Sequence, residues 1–350
     1  MDVRNQTNRS TEAPLPVHLY IEPHGSRVFR PVLFSFIILA SLVGNALVLK
    51  AVIGLHLRCK PFAYYLVANL AVAEVISSIC QPFVMTYQEK YTWIFGDFAC
   101  KLLIPLQVLA TIVVTFNLAA IAVYRYRALT RTSVGKKITS ITLATVIGVM
   151  WVLALSISLP LFVTRIQMEY PPDHKVCVSK FSGIEIYNMI RFALTFLFPY
   201  LIMSWSYGAV ALKIKRHIRH NVIERTRLSL YSNESRDTHD GRSNRSDRQV
   251  QLEYNKQPRG SRTGAELEFD LLRMIYVIII SFVVCYAPYQ TLFLWEYTTG
   301  PSGWRFPFHK VLRNYFYVLT CLPGAIHPLC YGTMNRFFAR AFSRIVMCRR

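Results

Sequence analysis

Of the ionisable residues in or beside the long apolar stretches of this 350-residue chain, Glu74, Arg125 and His327 have the settings that could do chemistry. An ionised carboxylate among apolar side chains needs a partner or takes up a proton, so Glu74 is either paired or a neutral acid bonded to backbone. Arg125, in Tyr124-Arg125-Tyr126, closes a helix-length run that is otherwise uncharged from Leu102 onward. It is either a functional cation or a side chain reaching back to interfacial water. His327, in His327-Pro328-Leu329-Cys330-Tyr331, could exchange a proton near neutrality. The chain lacks the motifs of catalysis: there is no Walker A, GxGxxG or HExxH sequence. Its eight cysteines include no CxxC pair and show no zinc-ligand spacing.

The elements that must position these residues read as membrane spans. The chain is 53% hydrophobic and 17% charged, where soluble domains have about a quarter of their residues charged. Seven runs, at 31–53, 62–86, 100–124, 139–163, 187–212, 269–295 and 310–332, are each long enough to cross about 30 Å of hydrocarbon as a helix. The seventh is the weakest, interrupted by Pro323 and Pro328. Segments 54–61, 125–138, 213–268 and 333–350 hold 25 Lys and Arg, and the segments on the other side hold 10. The richer side is expected in the cytoplasm, with the N-terminus outside. The net charge of +21 is thus placed for a membrane, and nucleic acid is not an expected partner. Residues 1–30 contain no apolar signal core, so the first span is expected to direct its own insertion.

The fold expected is an all-α membrane protein: an extracellular segment 1–30, a seven-transmembrane helix bundle over 31–332, and an amphipathic helix with a short tail over 333–350. The third inner loop, about 213–268, is expected to be largely disordered, with helical extensions of spans five and six at its ends. Asn5 and Asn8 head sequons on the outer side and are glycosylation candidates. Arg165–Tyr170 and Lys175–Phe181 flank Pro171-Pro172-Asp173 and read as a hairpin, with an irregular loop as the alternative. Met334–Val346 sets Phe337, Phe338, Phe342 and Ile345 against Arg336, Arg340 and Arg344, an interfacial pattern. Cys348 just beyond is a palmitoylation candidate.

Taken in order, Gly44-Asn45, Asn69 to Glu74, Trp93-Ile94-Phe95-Gly96, Cys100, Arg125, Trp151, Pro160, Cys177, Phe198-Pro199-Tyr200, Tyr207, Phe282, Cys285-Tyr286, Pro288 and His327 to Tyr331 form one set. This set resembles the rhodopsin-like, class A, G-protein-coupled receptors over about residues 30–348. The Trp93 to Gly96 turn and Gln107 resemble, more narrowly, the receptors for neuropeptide Y, neuropeptide FF, orexin and RFamide peptides.

The resemblance implies a Cys100–Cys177 bridge, which the oxidising side of the membrane also favours. It implies activation switches at Glu74, Arg125, Pro199, Tyr207, Phe282, Tyr286, His327, Pro328 and Tyr331. It implies that Arg125 is locked in the resting state, yet Tyr124 replaces the acid usual beside it, which leaves Glu268 as the expected partner. Tyr286 stands where such receptors commonly carry Trp. Val114, Pro323 and His327 replace polar partners of the family's sodium site, so no metal is expected and Glu74 is expected either to pair with His327 or to stay protonated. No cofactor is expected.

The ligand pocket implied by resemblance comprises Gln107, Val108, Thr111, Tyr286, Tyr289, Gln290 and Tyr317. Gln107 removes the acid that would bind a monoamine, and Cys321 removes the lysine of a photopigment. An amidated peptide is the expected ligand and a heterotrimeric G protein the expected inner partner. Arrestin and receptor kinases would act on the third inner loop, where Ser229 has a basic context, and membrane lipids would meet its basic helices. A weakly coupled receptor of the same fold, or one for a lipid or small molecule, is the alternative, and a small transporter a remote one, since no repeated halves are visible.

Overall fold

The computed structural model describes residues 22–54, 62–130, 139–170, 174–237, 259–299 and 308–347. Its helices are α1 (His24–Gly54), α2 (Phe62–Lys90), α3 (Gly96–Thr130), α4 (Ser140–Thr164), α5 (Ile184–Phe192), α6 (Phe198–Asp237), α7 (Arg259–Thr299), α8 (His309–Met334) and α9 (Arg336–Val346). Strands β1 (Arg165–Tyr170) and β2 (His174–Ser179) form an antiparallel hairpin between α4 and α5. Among the described residues, six stretches are long and apolar enough to cross a membrane: 24–54, 62–90, 96–128, 141–164, 184–213 and 273–296. Helix α8 makes a seventh rod of 26 residues, more polar because it carries Lys310, Arg313, Asn314 and His327. The seven rods form the expected all-α transmembrane bundle.

Several boundaries differ from the sequence reading for physical reasons. Helix α1 begins at His24, because Arg30 finds counter-charges in Glu22 and Glu89 and needs no water. Pro323 and Pro328 lie within α8 without ending it. In the fifth rod, Pro199 cannot donate a helical hydrogen bond, and the chain widens into a π turn over Ala193–Leu197 just before it. Of 213–268, α6 covers the stretch to Asp237 and α7 the stretch from Arg259, while 238–258 lie outside the described residues. Helix α9 starts at Arg336, because Asn335 leaves helical geometry and its side chain caps the Phe337 N–H at 2.9 Å.

The core fills the centre of the bundle. Leu66, Leu70, Ile112, Leu118, Met274, Ile278 and Phe282 are almost fully buried where α2, α3 and α7 converge. Outward residues such as Phe36, Ile53, Leu155, Val163, Ile186 and Trp205 are exposed, as a bilayer-facing surface requires. Helix α3 packs against α2, α4 and α6, whereas α7 lies along α8 and only grazes α3 and α6. Close packing of α8 on α1 depends on two glycines. A Cβ on Gly44 would come within 2.7 Å of Pro328, and one on Gly324 within 2.6 Å of the Ser41 hydroxyl.

Candidate functional site

At the hairpin end of the bundle, the Cys100–Cys177 disulfide fastens β2 to the top of α3, with Cα atoms 5.7 Å apart. Trp93 is fully buried beside the bridge, edge-on to Tyr87 and Phe95, and its indole N–H donates to the Gly96 carbonyl at 2.7 Å. Gly96 adopts φ +82°, which a side chain would strain. Two further bonds hold the hairpin down: Trp93 N–H to the Lys175 carbonyl at 2.6 Å, and Gln167 N–H to Asp97 Oδ1 at 2.9 Å.

Beneath this lid the structure brings together most of the expected pocket. The Gln107 amide donates to the Tyr317 hydroxyl at 2.9 Å, and Tyr289 meets Tyr317 edge-on at 5.9 Å. Tyr286 stacks on Phe282 at 4.3 Å, with its hydroxyl beside Thr111. Tyrosine at this position thus keeps the aromatic contact and finds a neighbour for its oxygen. Val108 and Gln290 are partly buried on α3 and α7.

In the middle of the bundle, Glu74 Oε1 lies 3.2 Å from His327 Nδ1, and both side chains are buried. Neither imidazole nitrogen has a well-aligned hydrogen bond, so the contact is a close approach rather than a linear bond. Around it, Ser41 and Ser78 hydroxyls meet at 2.7 Å, and Asn45 donates to the Gly324 carbonyl at 2.9 Å. Val114 and Pro323 are buried apolar residues, as their sequence positions imply. No three His, Cys, Asp or Glu side chains converge on a metal position among the described residues.

At the opposite end, Arg125 opens into a cleft lined by Ala63, Leu118, Tyr124, Ile278, Tyr331 and Phe338, among others. Tyr124 packs on Phe62 at 4.9 Å, with the Arg125 guanidinium 5.6 Å from its ring. An aromatic ring therefore faces this cation where a carboxylate was missed. Tyr207 lies within electrostatic reach of Arg125, and the hydroxyls of Tyr207 and Tyr331 are both buried without a partner. Phe338 of α9 is fully buried against Tyr64 and Tyr331, which seats that helix across the end of the bundle. Glu268 belongs to α7, but its side chain lies outside the described residues, as do Asn5, Asn8, the Ser229 side chain and Cys348.

Sequence reasoning overlooked two arginines at the hairpin end. Arg191 lies in α5, its guanidinium 5.6 Å from the Phe293 ring, and Arg165 begins β1 and donates to the Cys177 carbonyl at 2.9 Å. Burial draws the Arg165 guanidinium down to about 10, with Arg191 nearby acting in the same direction. A charged residue inside a span is a functional candidate by default, and that rule alone picks out Arg191.

A seven-helix bundle with a disulfide-anchored lid over an aromatic cluster, and an arginine-lined cleft at the other end, defines the class: a multi-pass membrane receptor. Residues 44–331 match the family described as the 7 transmembrane receptor (rhodopsin family), and the chain belongs to that family. Among its relatives, neuropeptide Y receptor type 2 of Homo sapiens is 24% identical over 329 residues, covering 90% of this chain and 75% of that protein. The same receptor of Sus scrofa gives equal figures. The 5-hydroxytryptamine receptor 1D of Homo sapiens is 25% identical over 339 residues, covering 91% of this chain and 88% of that receptor.

Proposed function

We propose that this receptor sits in the plasma membrane with its hairpin end outside, binds a peptide there, and activates a heterotrimeric G protein through the Arg125 cleft. The observation that carries this reading is a polar, aromatic cluster at one end of the core and an arginine-lined cleft at the other. The Gln107–Tyr317–Tyr289 cluster lies under the anchored hairpin, and the Arg125 cleft lies at the far end of the same helices. The relatives include receptors named for a neuropeptide and for an amine. Gln107 favours the first, because a neutral amide offers no counter-charge to an ammonium group. Helix α9, amphipathic and seated at the cytoplasmic end, would lie along the membrane surface. Receptor kinases and arrestin would act on 213–268. The chain would do no chemistry of its own.

The test is calcium and cyclic-AMP signalling in cells that display the receptor, challenged with a peptide library. Activation lost on both Cys177→Ala and Arg125→Ala is the expected result. Silence from surface-expressed receptor would favour the weakly coupled reading, to which Tyr124, Tyr286 and His327 specifically point.

A further inference from the structure

Arg165 and Arg191 form a cationic site that no acid of the described chain neutralises. The hairpin register pairs Arg165 with Ser179 and Gln167 with Cys177, so these four side chains share one face. The Cys177 bridge to Cys100 turns that face toward the bundle. On it, Arg165 Nε, Gln167 Oε1 and Ser179 Oγ are all buried without a hydrogen-bond partner. Opposite, Arg191 Nε is buried and unpartnered too, and its Nη2 reaches only a long 3.4 Å bond to Asn188. Tyr187 lies within electrostatic reach of both guanidiniums.

The acids at this end are committed elsewhere. Glu22 and Glu89 hold Arg30, Asp97 holds Lys101, Glu169 holds Lys175, and Glu296 faces His309 and Arg313. Glu185 is exposed to solvent. Both arginines keep their charge at neutral pH, because a guanidinium does not give up its proton there. Two half-buried like charges without a counter-ion carry a desolvation penalty that the Cys177 carbonyl and Asn188 only partly offset. Natural proteins retain such an arrangement where a ligand completes it.

We propose that the ligand presents a carboxylate, which Arg165 and Arg191 grip together while Phe293 and Tyr289 flank the adjoining side chain. Guanidinium forks match planar carboxylates in two-point hydrogen bonds. An amidated terminus brings N–H donors to a site already made of donors. The amide expected from the Gln107 mouth is therefore replaced by an acid, at the peptide terminus or on an Asp or Glu side chain. This proposal rests on the peptide-receptor reading above.

The experiment has two arms. In the first, each library peptide is supplied as free acid and as amide, with Asp and Glu also exchanged for Asn and Gln, and signalling is read on the parent receptor and on Arg191→Gln. Activating peptides are expected to be acids, with their neutral counterparts weaker by roughly 10- to 100-fold. Arg191→Gln should erase that difference, and Arg191→Lys should keep part of it. In the second, the melting temperature of purified, ligand-free receptor is compared with that of Arg165→Gln and Arg191→Gln. Removing an uncompensated charge should raise it by about 2–4 °C. Amides as potent as acids, an unmoved response in Arg191→Gln, or melting temperatures that fall in both variants would overturn the proposal. Silence across the library together with the rise in melting temperature would instead count against the peptide reading and leave the acid site standing.

Discussion

Glu74 and His327 show how far residue types alone carry an argument. Each is readable in sequence as an ionisable group in an apolar run, and family resemblance suggested their meeting. The 3.2 Å approach adds that the two share one buried position. Removing one partner of such a pair leaves the other's polar atoms buried without a neighbour, so Glu74→Ala and His327→Ala should each destabilise the receptor by about 1–3 kcal/mol. The double variant should lose clearly less than the sum of the two. Thermal denaturation of all four purified forms measures this, and additivity within about 0.5 kcal/mol would mean that the residues are not coupled. Tyr124 was legible only as a missing acid. That its ring packs on Phe62 and faces Arg125 depends on the register of α2 against α3, which no local pattern encodes. Arg191 was readable as a charge inside the fifth span, but Arg165 was not, because the lack of acids around it is a property of packing.

At the scale of elements, hydropathy reveals the rods, but close approaches need structure. Gly44 and Gly324 let α8 lie against α1, and neither position leaves room for a methyl group. Gly44→Ala would force its Cβ to within 2.7 Å of the Pro328 ring, two parts that cannot yield cheaply. It should destabilise by about 1–3 kcal/mol, read as a lower melting temperature, whereas Gly148→Ala, in open space on α4, should not. The hairpin was legible because Pro171-Pro172-Asp173 separates two short alternating runs. The start of α1 was not, since Arg30 looks like a solvent residue until Glu22 and Glu89 enclose it. That clasp has a pH dependence of definite sign. Burial works to raise the Glu22 carboxyl, but hydrogen bonds from Arg30 and Ser26 outweigh it and hold the group below its ordinary value of 4.5. Its contribution is therefore complete above 4.5 and fades as pH falls through the lowered value. Amide protection over 24–30, taken relative to the intrinsic exchange rate at each pH, should be high at neutral pH, fall in acid, and lose that dependence in Glu22→Gln.

The whole molecule is a packed core with a lidded aromatic cluster at one end and the Arg125 cleft at the other, and one helix is held less firmly than the rest. Helix α7 is packed along α8 but touches α3 and α6 only lightly, so a movement of α7 alters the Arg125 cleft by sliding Met274, Ile278 and Phe282 over the core while α2 stays packed on α3. The buried, unpartnered hydroxyls of Tyr207 and Tyr331 would gain partners if such a movement brought them together or admitted water. The cleft is mainly apolar, with Arg125 as its charge, a surface suited to the end of an amphipathic helix. Ala63 on α2 lines it and is nearly buried. Ala63→Phe should place a ring in the vacant space. Ligand-free stability would then hold or rise, because a void is filled, while G-protein recruitment falls at least roughly tenfold, because the partner loses its seat. Resonance energy transfer between receptor and G protein, read beside the melting temperature, separates these effects. Undiminished recruitment in a stable Ala63→Phe receptor would show that the G protein docks elsewhere. A loss of both stability and recruitment would mean that the ring had disrupted the packing of α2 on α3 instead of occupying the cleft.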